Sequence, residues 1–191
     1  MIVPRILIGA LVGFELLNIA GVLNFTLDFS WLGLLVTSVG TFIVIETAYH
    51  VFRRRNIFLS PSPYSLAVAG LWLDALGDIL HWYARFGWYD QFMHFAGGVI
   101  VMTISLVIFS KIQKKFSLPL FAVLLFSLAF VSLSGTLYET EEYLEDRFYH
   151  GHQLRLGDGP DTADDLMWNL AGGLGVGAIY LIARKQKESR R

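Results

Sequence analysis

The sequence predicts an all-α fold: a polytopic transmembrane helix bundle of about six spans with both termini cytoplasmic. Three observations carry that reading. Hydrophobic residues make up 54% of the 191 and charged residues only 16%, against about 25% charged in an ordinary soluble domain, and mean hydropathy is +0.53. Six apolar stretches each approach the roughly 20 residues a spanning helix needs. The basic residues fall almost entirely on one side of the resulting topology. A net charge of -1 offers no electrostatic footprint for nucleic acid. The absence of cysteine excludes disulfides, thiolate metal sites and cysteine nucleophiles.

The chain reads as a single transmembrane domain, residues 1–191, with spans at about 4–27, 30–52, 64–84, 90–110, 117–140 and 163–183. The first apolar run is too long for a signal peptide and ends at no small-x-small cleavage site, so it reads as a retained helix. It carries Glu15 and Asn18. The second carries Glu46 and His50 towards its inner end and closes on Arg53, Arg54 and Arg55. Lys111, Lys114 and Lys115 separate spans four and five, and Arg184, Lys185, Lys187, Arg190 and Arg191 form the tail. An even number of spans puts these and Arg5 on one face. Arg85, Arg147 and Arg155 remain for the other, which is therefore external.

Polar residues gather towards that external face. On span three, Asp74, Asp78 and His81 follow i, i+4, i+7 spacing with Gly70, Gly77 and Arg85 on the same stripe. On span four Asp90, His94 and Gly97 line up. On span five Glu139, Glu142 and Asp146 share a face, while Glu141 and Glu145 point away. Asp161, Asp165 and Asn169 climb one side of span six. An Asp at a helix centre costs about 2.5–3.5 kcal/mol on insertion scales, so such groups face partners, water or the bundle interior. One outward-opening polar cavity among spans three to six satisfies all four stripes. The stripes on spans four, five and six also have local explanations. Asp90 fits a helix cap, Thr162 and Asp165 fit a capping box, and Glu141, Glu145 and Asp146 in ETEEYLED fit a solvated helix end. Asp74 and Asp78 begin too deep for that. The run GGLGVG, Gly172 to Gly177, lies inside a helix with no strand before it and no phosphate-binding lysine, which excludes a nucleotide loop. Gly173 and Gly177 form a small-xxx-small pair for helix contact. His150 and His152 sit in a turn-rich loop, about 147–160. Glu15, Asn18, Glu46 and His50 form a separate polar set, either pairing with one another or serving an inner gate.

The run FGWYDQFMHFAGG, with YETEEY and GDGPDTADDLMWNLAGGLG after it, resembles the YjdF-like family of uncharacterised bacterial inner-membrane proteins over roughly residues 64–180. The resemblance maps the family's paired glutamates onto Glu139 and Glu142 and its closing acids onto Asp158, Asp161 and Asp165. The closing segment is also similar to VanZ-like proteins, in which an acid precedes an "N..G" step, here Asn169 and Gly172. Those proteins are associated with glycopeptide-antibiotic tolerance. Asp74, Asp78 and His81 are no part of that pattern.

No Gly-x-Ser-x-Gly elbow is present, nothing orients Ser134 as a nucleophile with His94, and no set of basic residues stands ready to clamp a phosphate. Carboxylates with imidazole suit a divalent cation such as Mg, Mn, Zn or Fe, and helix bundles build such sites from facing helices. The expected ligands are Asp90, His94, Glu139 and Asp165, with Glu142 and Asp161 beside them and Asp78 or His81 as acid/base. The expected activity is a metal-dependent reaction on a lipid or envelope substrate at the external surface of the cell membrane. Two other classes share the same residues. One is a proton- or cation-coupled transporter with Asp74, Asp78 and His81 as relay, though no repeat relates the two halves. The other is a non-catalytic membrane scaffold or sensor. Oligomeric state is not encoded in these patterns.

Overall fold

A computed structural model describes residues 2–157 and 160–190. It contains the helices α1 (Ile2–Ile19), α2 (Trp31–Arg54), α3 (Ser62–Ile79), the single turn α4 (Trp82–Arg85), α5 (Tyr89–Phe116), α6 (Leu120–Glu145) and α7 (Asp161–Ser189), with no strand among the described residues. A π-helical turn, Asp146–His150, continues α6. The helix boundaries have local causes. Ser30 caps α2 by accepting a hydrogen bond from the Gly33 amide at 3.0 Å. Pro119 and Pro160 precede α6 and α7, where a missing N–H costs nothing. Ser117 ends α5 in the left-handed region.

Five helices, α1, α2, α5, α6 (with the turn to His150) and α7, are long and apolar enough to cross a membrane. The third expected span is the exception. It forms a helix over Ser62–Ile79 only, then breaks at His81, whose φ is 57°, so the spacing that placed His81 and Arg85 on the Asp74 stripe does not hold. Arg85 is exposed, its guanidinium over the Phe86 ring. The α1–α2 connection is also longer than expected, because α1 stops at Ile19 and Gly21 turns the chain at φ 70°.

Two apolar cores hold the bundle together. Ile8 and Leu11 of α1, Leu34 of α2, and Tyr64, Val68, Leu71 and Ala75 of α3 form one. Met102 and Leu106 of α5 with Val123 and Val131 of α6 form the other, against Val176 and Tyr180 of α7. α3 touches both α1 and α5 and joins the two halves. Large apolar side chains such as Ile43, Phe121, Leu137 and Ile179 point outward, as bilayer-facing surfaces require. The long helices run back and forth, so the connections 20–30 and 80–88 and the segment 146–157 meet at one end.

Candidate metal centre

At that end α5, α6 and α7 converge on His94. Its Nε2 lies 3.7 Å from a carboxylate oxygen of Asp90 one turn earlier on α5, 3.7 Å from Glu139 on α6 and 3.7 Å from Asp165 on α7. His94, Glu139 and Asp165 are buried and Asp90 is half-buried. One ligand atom each from Asp90, His94 and Asp165 lie within 4.8 Å of one another. The separations are too long for hydrogen bonds and wide enough for an atom between them. Both oxygens of Glu139 and Oδ1 of Asp165 are buried without a hydrogen-bond partner of ordinary geometry, although Thr162 stands beside Glu139. Behind the ring, Asn169 Nδ2 lies 3.1 Å from His94 Nδ1 and donates to the Asp165 carbonyl oxygen at 3.1 Å. Tyr138 packs edge-on against the imidazole.

Glycines make this convergence possible. A Cβ on Gly98 would run into the backbone carbonyl of Asn169, and one on Gly172 into that of Phe95, so α5 and α7 touch backbone to backbone. Gly135 of α6 faces the Asn169 amide. Gly173 and Gly177, the expected pair, meet side chains of Val131 and Met102 instead. The capping readings do not hold: Trp88 and Pro160 occupy the caps of α5 and α7, neither with a side-chain cap bond, and Asp90 and Asp165 point to His94.

The remaining acids go elsewhere. Glu142 pairs with Arg155 at 2.7 Å, and Arg155 also donates to Glu145 at 3.1 Å and to the Tyr138 hydroxyl at 3.1 Å. Its guanidinium lies 4.8 Å over the Phe29 ring. Burial works against the charge, but Tyr138, Glu142 and Glu141 outweigh it and raise the guanidinium pKa above its ordinary value. Ser30 donates to Glu145, and His150 Nε2 is 3.1 Å from it. Asp146 accepts the backbone amides of Leu154, Arg155 and Leu156, each at 3.0 Å. Glu145 and Asp146 are therefore buried, and Glu141 half-buried, rather than a solvated end. They fold the 151–157 segment back onto α6. His152 Nδ1 lies 2.9 Å from the His150 carbonyl oxygen and its ring meets the His150 ring edge-on. Asp161, half-buried at the start of α7, lies against Gly157. Asp158 falls outside the described residues.

Asp78 and His81 are not brought to His94. Asp78 accepts the amides of Asp28 at 2.6 Å and Phe29 at 3.0 Å, and Asp28 in turn bonds His81 Nδ1 at 2.7 Å and the Ala84 amide at 3.0 Å. This clasp ties the α1–α2 connection to the end of α3. Asp74 accepts the Tyr83 hydroxyl at 2.6 Å. Glu46 is held by Arg5 at 2.6 and 2.7 Å and by Tyr64 at 3.0 Å, so it does not join Glu15. Asp28, Tyr83 and Tyr138 carry no signal in the sequence. Arg155 does carry one: it is among three basic residues on a face crowded with acids.

A family model described as predicted membrane protein (DUF2238) matches residues 6–187. No curated protein and no solved structure matches the chain.

Proposed function

We propose, for a chain that belongs to the DUF2238 family of membrane proteins, that Asp90, His94 and Asp165 hold a divalent cation, with Glu139 as the fourth ligand. The observation that carries this reading is the meeting of three carboxylate oxygens, each 3.7 Å from one imidazole nitrogen, with buried oxygens of Glu139 and Asp165 still unpartnered. Neighbouring ligands of a tetrahedral ion at about 2.0–2.2 Å stand about 3.3–3.6 Å apart, close to the 3.7 Å separations from His94 Nε2; Glu139, outside the 4.8 Å group of the other three, has to move inward to join them. The ion would also compensate carboxylates that cannot all ionise at close quarters. Mixed oxygen and imidazole donors fit Zn, Mn or Fe, and Mg with retained water.

The distribution of the basic residues supports an extracytoplasmic position for this centre, where a lipid head group or an envelope precursor in the outer leaflet would be within reach. A cation there supplies Lewis acidity towards a phosphoryl or acyl oxygen, or an activated water. The protein's own part is to hold the ligands on three closely packed helices and to exclude solvent behind His94 with Asn169 and Tyr138. Glu142 is committed to Arg155 and supports the segment above the centre.

The test is metal content by mass spectrometry on detergent-purified protein, wild type beside His94→Ala and Glu139→Ala. A near-stoichiometric metal, lost in both variants, is expected, and hydrolytic or transfer assays on envelope lipids would follow. Wild-type protein without metal after incubation with Mg, Mn, Zn and Fe overturns the reading. Proton- or cation-coupled transport then takes its place, favoured by a further buried acid on α1, and liposome flux is the assay.

A further inference from the structure

Neither the His94 group nor the Arg155 contact uses the acid that α1 buries. Glu15 is 0% exposed and continues the inward stripe of Ile8 and Leu11, with Asn18 beyond it. Oε1 accepts a hydrogen bond from Ser38 Oγ of α2 at 2.8 Å. Oε2 is enclosed with no partner. α2 brings only the Ser38 hydroxyl to it, since Glu46 is engaged by Arg5 more than two helical turns away and His50, Arg53 and Arg54 lie further on. α3 carries Asp74, whose charge reaches Glu15 through space and whose own hydrogen bond is to Tyr83. No cation among the described residues contacts the Glu15 carboxyl.

An ionised carboxylate so placed would lack both water and a counter-charge. Groups in that position neutralise instead, because desolvation of the charge exceeds the cost of keeping the proton. We infer that Glu15 is a proton-binding site: its carboxyl group carries a proton in the resting protein and Ser38 holds its carbonyl oxygen. The inference is independent of a metal at His94. Intramembrane acids of this kind mark proton pathways.

Infrared difference spectroscopy on the full-length protein in detergent tests it, in the protonated-carboxyl region and at neutral pH. The expected result is one carboxylic C=O band present in wild type and lost in Glu15→Gln, with thermal stability retained because glutamine copies the shape of the neutral acid. Ser38→Ala, which removes only the hydrogen bond to the carbonyl, is expected to shift the same band. It also serves should Glu15→Gln fold poorly. Asp74→Asn is expected to keep the band. Identical spectra for wild type and Glu15→Gln, or a band indifferent to Ser38→Ala, overturn the inference. A band lost in Asp74→Asn but kept in Glu15→Gln also overturns it, since the proton then resides on α3.

Discussion

Asn169 of α7 sets its side-chain amide 3.1 Å from Nδ1 of His94 on α5, directly behind the ring nitrogen that faces three carboxylates. The same amide nitrogen donates to the carbonyl of Asp165, one turn earlier on its own helix. One residue therefore orients the imidazole and links it to the helix that supplies a carboxylate. With the amide nitrogen against it Nδ1 accepts, so a metal on Nε2 requires the Asn169 amide turned to set Oδ1 against an Nδ1–H, the outer-shell contact that typically contributes 10–100-fold to metal affinity. Asn169→Leu is expected to weaken divalent-cation binding by about that factor while leaving helical content unchanged. Titration calorimetry and circular dichroism on the same preparations check both halves.

The backbone contact between α5 and α7 leaves no room for a methyl group. Gly98→Ala meets the Asn169 carbonyl and Gly172→Ala the Phe95 carbonyl, and neither can rotate away as a side chain would. Each is expected to destabilise by about 1–3 kcal/mol, the usual cost of overpacking. Gly175→Ala, whose added carbon meets open space, is the control and should be near neutral. Thermal midpoints in one detergent read all three.

Arg155 is the counter-charge of two buried glutamates, Glu142 and Glu145. Removing one partner of a buried ionic contact costs about 3–5 kcal/mol, because the other charge is stranded. Arg155→Leu should therefore be strongly destabilising and should free the 151–157 segment for proteolysis. Adding Glu142→Gln and Glu145→Gln to it should recover a large part of the loss. Recovery separates an electrostatic role from a purely steric one. Limited proteolysis across the series measures it.

Asp78 is placed to hold a connection rather than to serve His94. Asp78→Ala leaves the amides of Asp28 and Phe29 without their acceptor, a loss of about 1–3 kcal/mol for buried donors. Faster amide hydrogen exchange at residues 25–30 is expected, with metal content equal to wild type. A fall in metal content would return Asp78 to the centre.

Much of the fold was legible because bilayer insertion writes itself into composition. Spans one, two, four, five and six appear where apolar length demands them, and Asp90, His94, Glu139 and Asp165 were readable as inward-facing from helical spacing alone. The third span ends as a helix at Ile79, short of the expected residue 84. Periodicity assumes an unbroken helix, and nothing local to His81 announces a left-handed residue. Three-residue spacing puts Glu142 and Glu139 on one face. That face is wide enough to serve two partners, and Arg155, distant in the folding pattern, takes one of them. Glu145 and Asp146 read as solvated because an acidic helix end ordinarily is. Their burial follows from a loop that returns its own amides to Asp146, a contact with no periodic signature.

The sequence by itself determined that this chain is an all-helical membrane protein and that its acids and histidines gather towards one end, since both follow from local hydropathy and from helix geometry. Only the tertiary structure decided which of those residues meet. Partner choice depends on where α5 and α7 can touch at Gly98 and Gly172 and on where one arginine returns from a loop. It sends His94 to three carboxylates, Glu142 to Arg155 and Asp78 to a backbone turn. Pairing energies act over a few ångströms, between residues 75 positions apart in the case of His94 and Asn169 and 115 in the case of Ser30 and Glu145, and spacing along one helix carries no information about them.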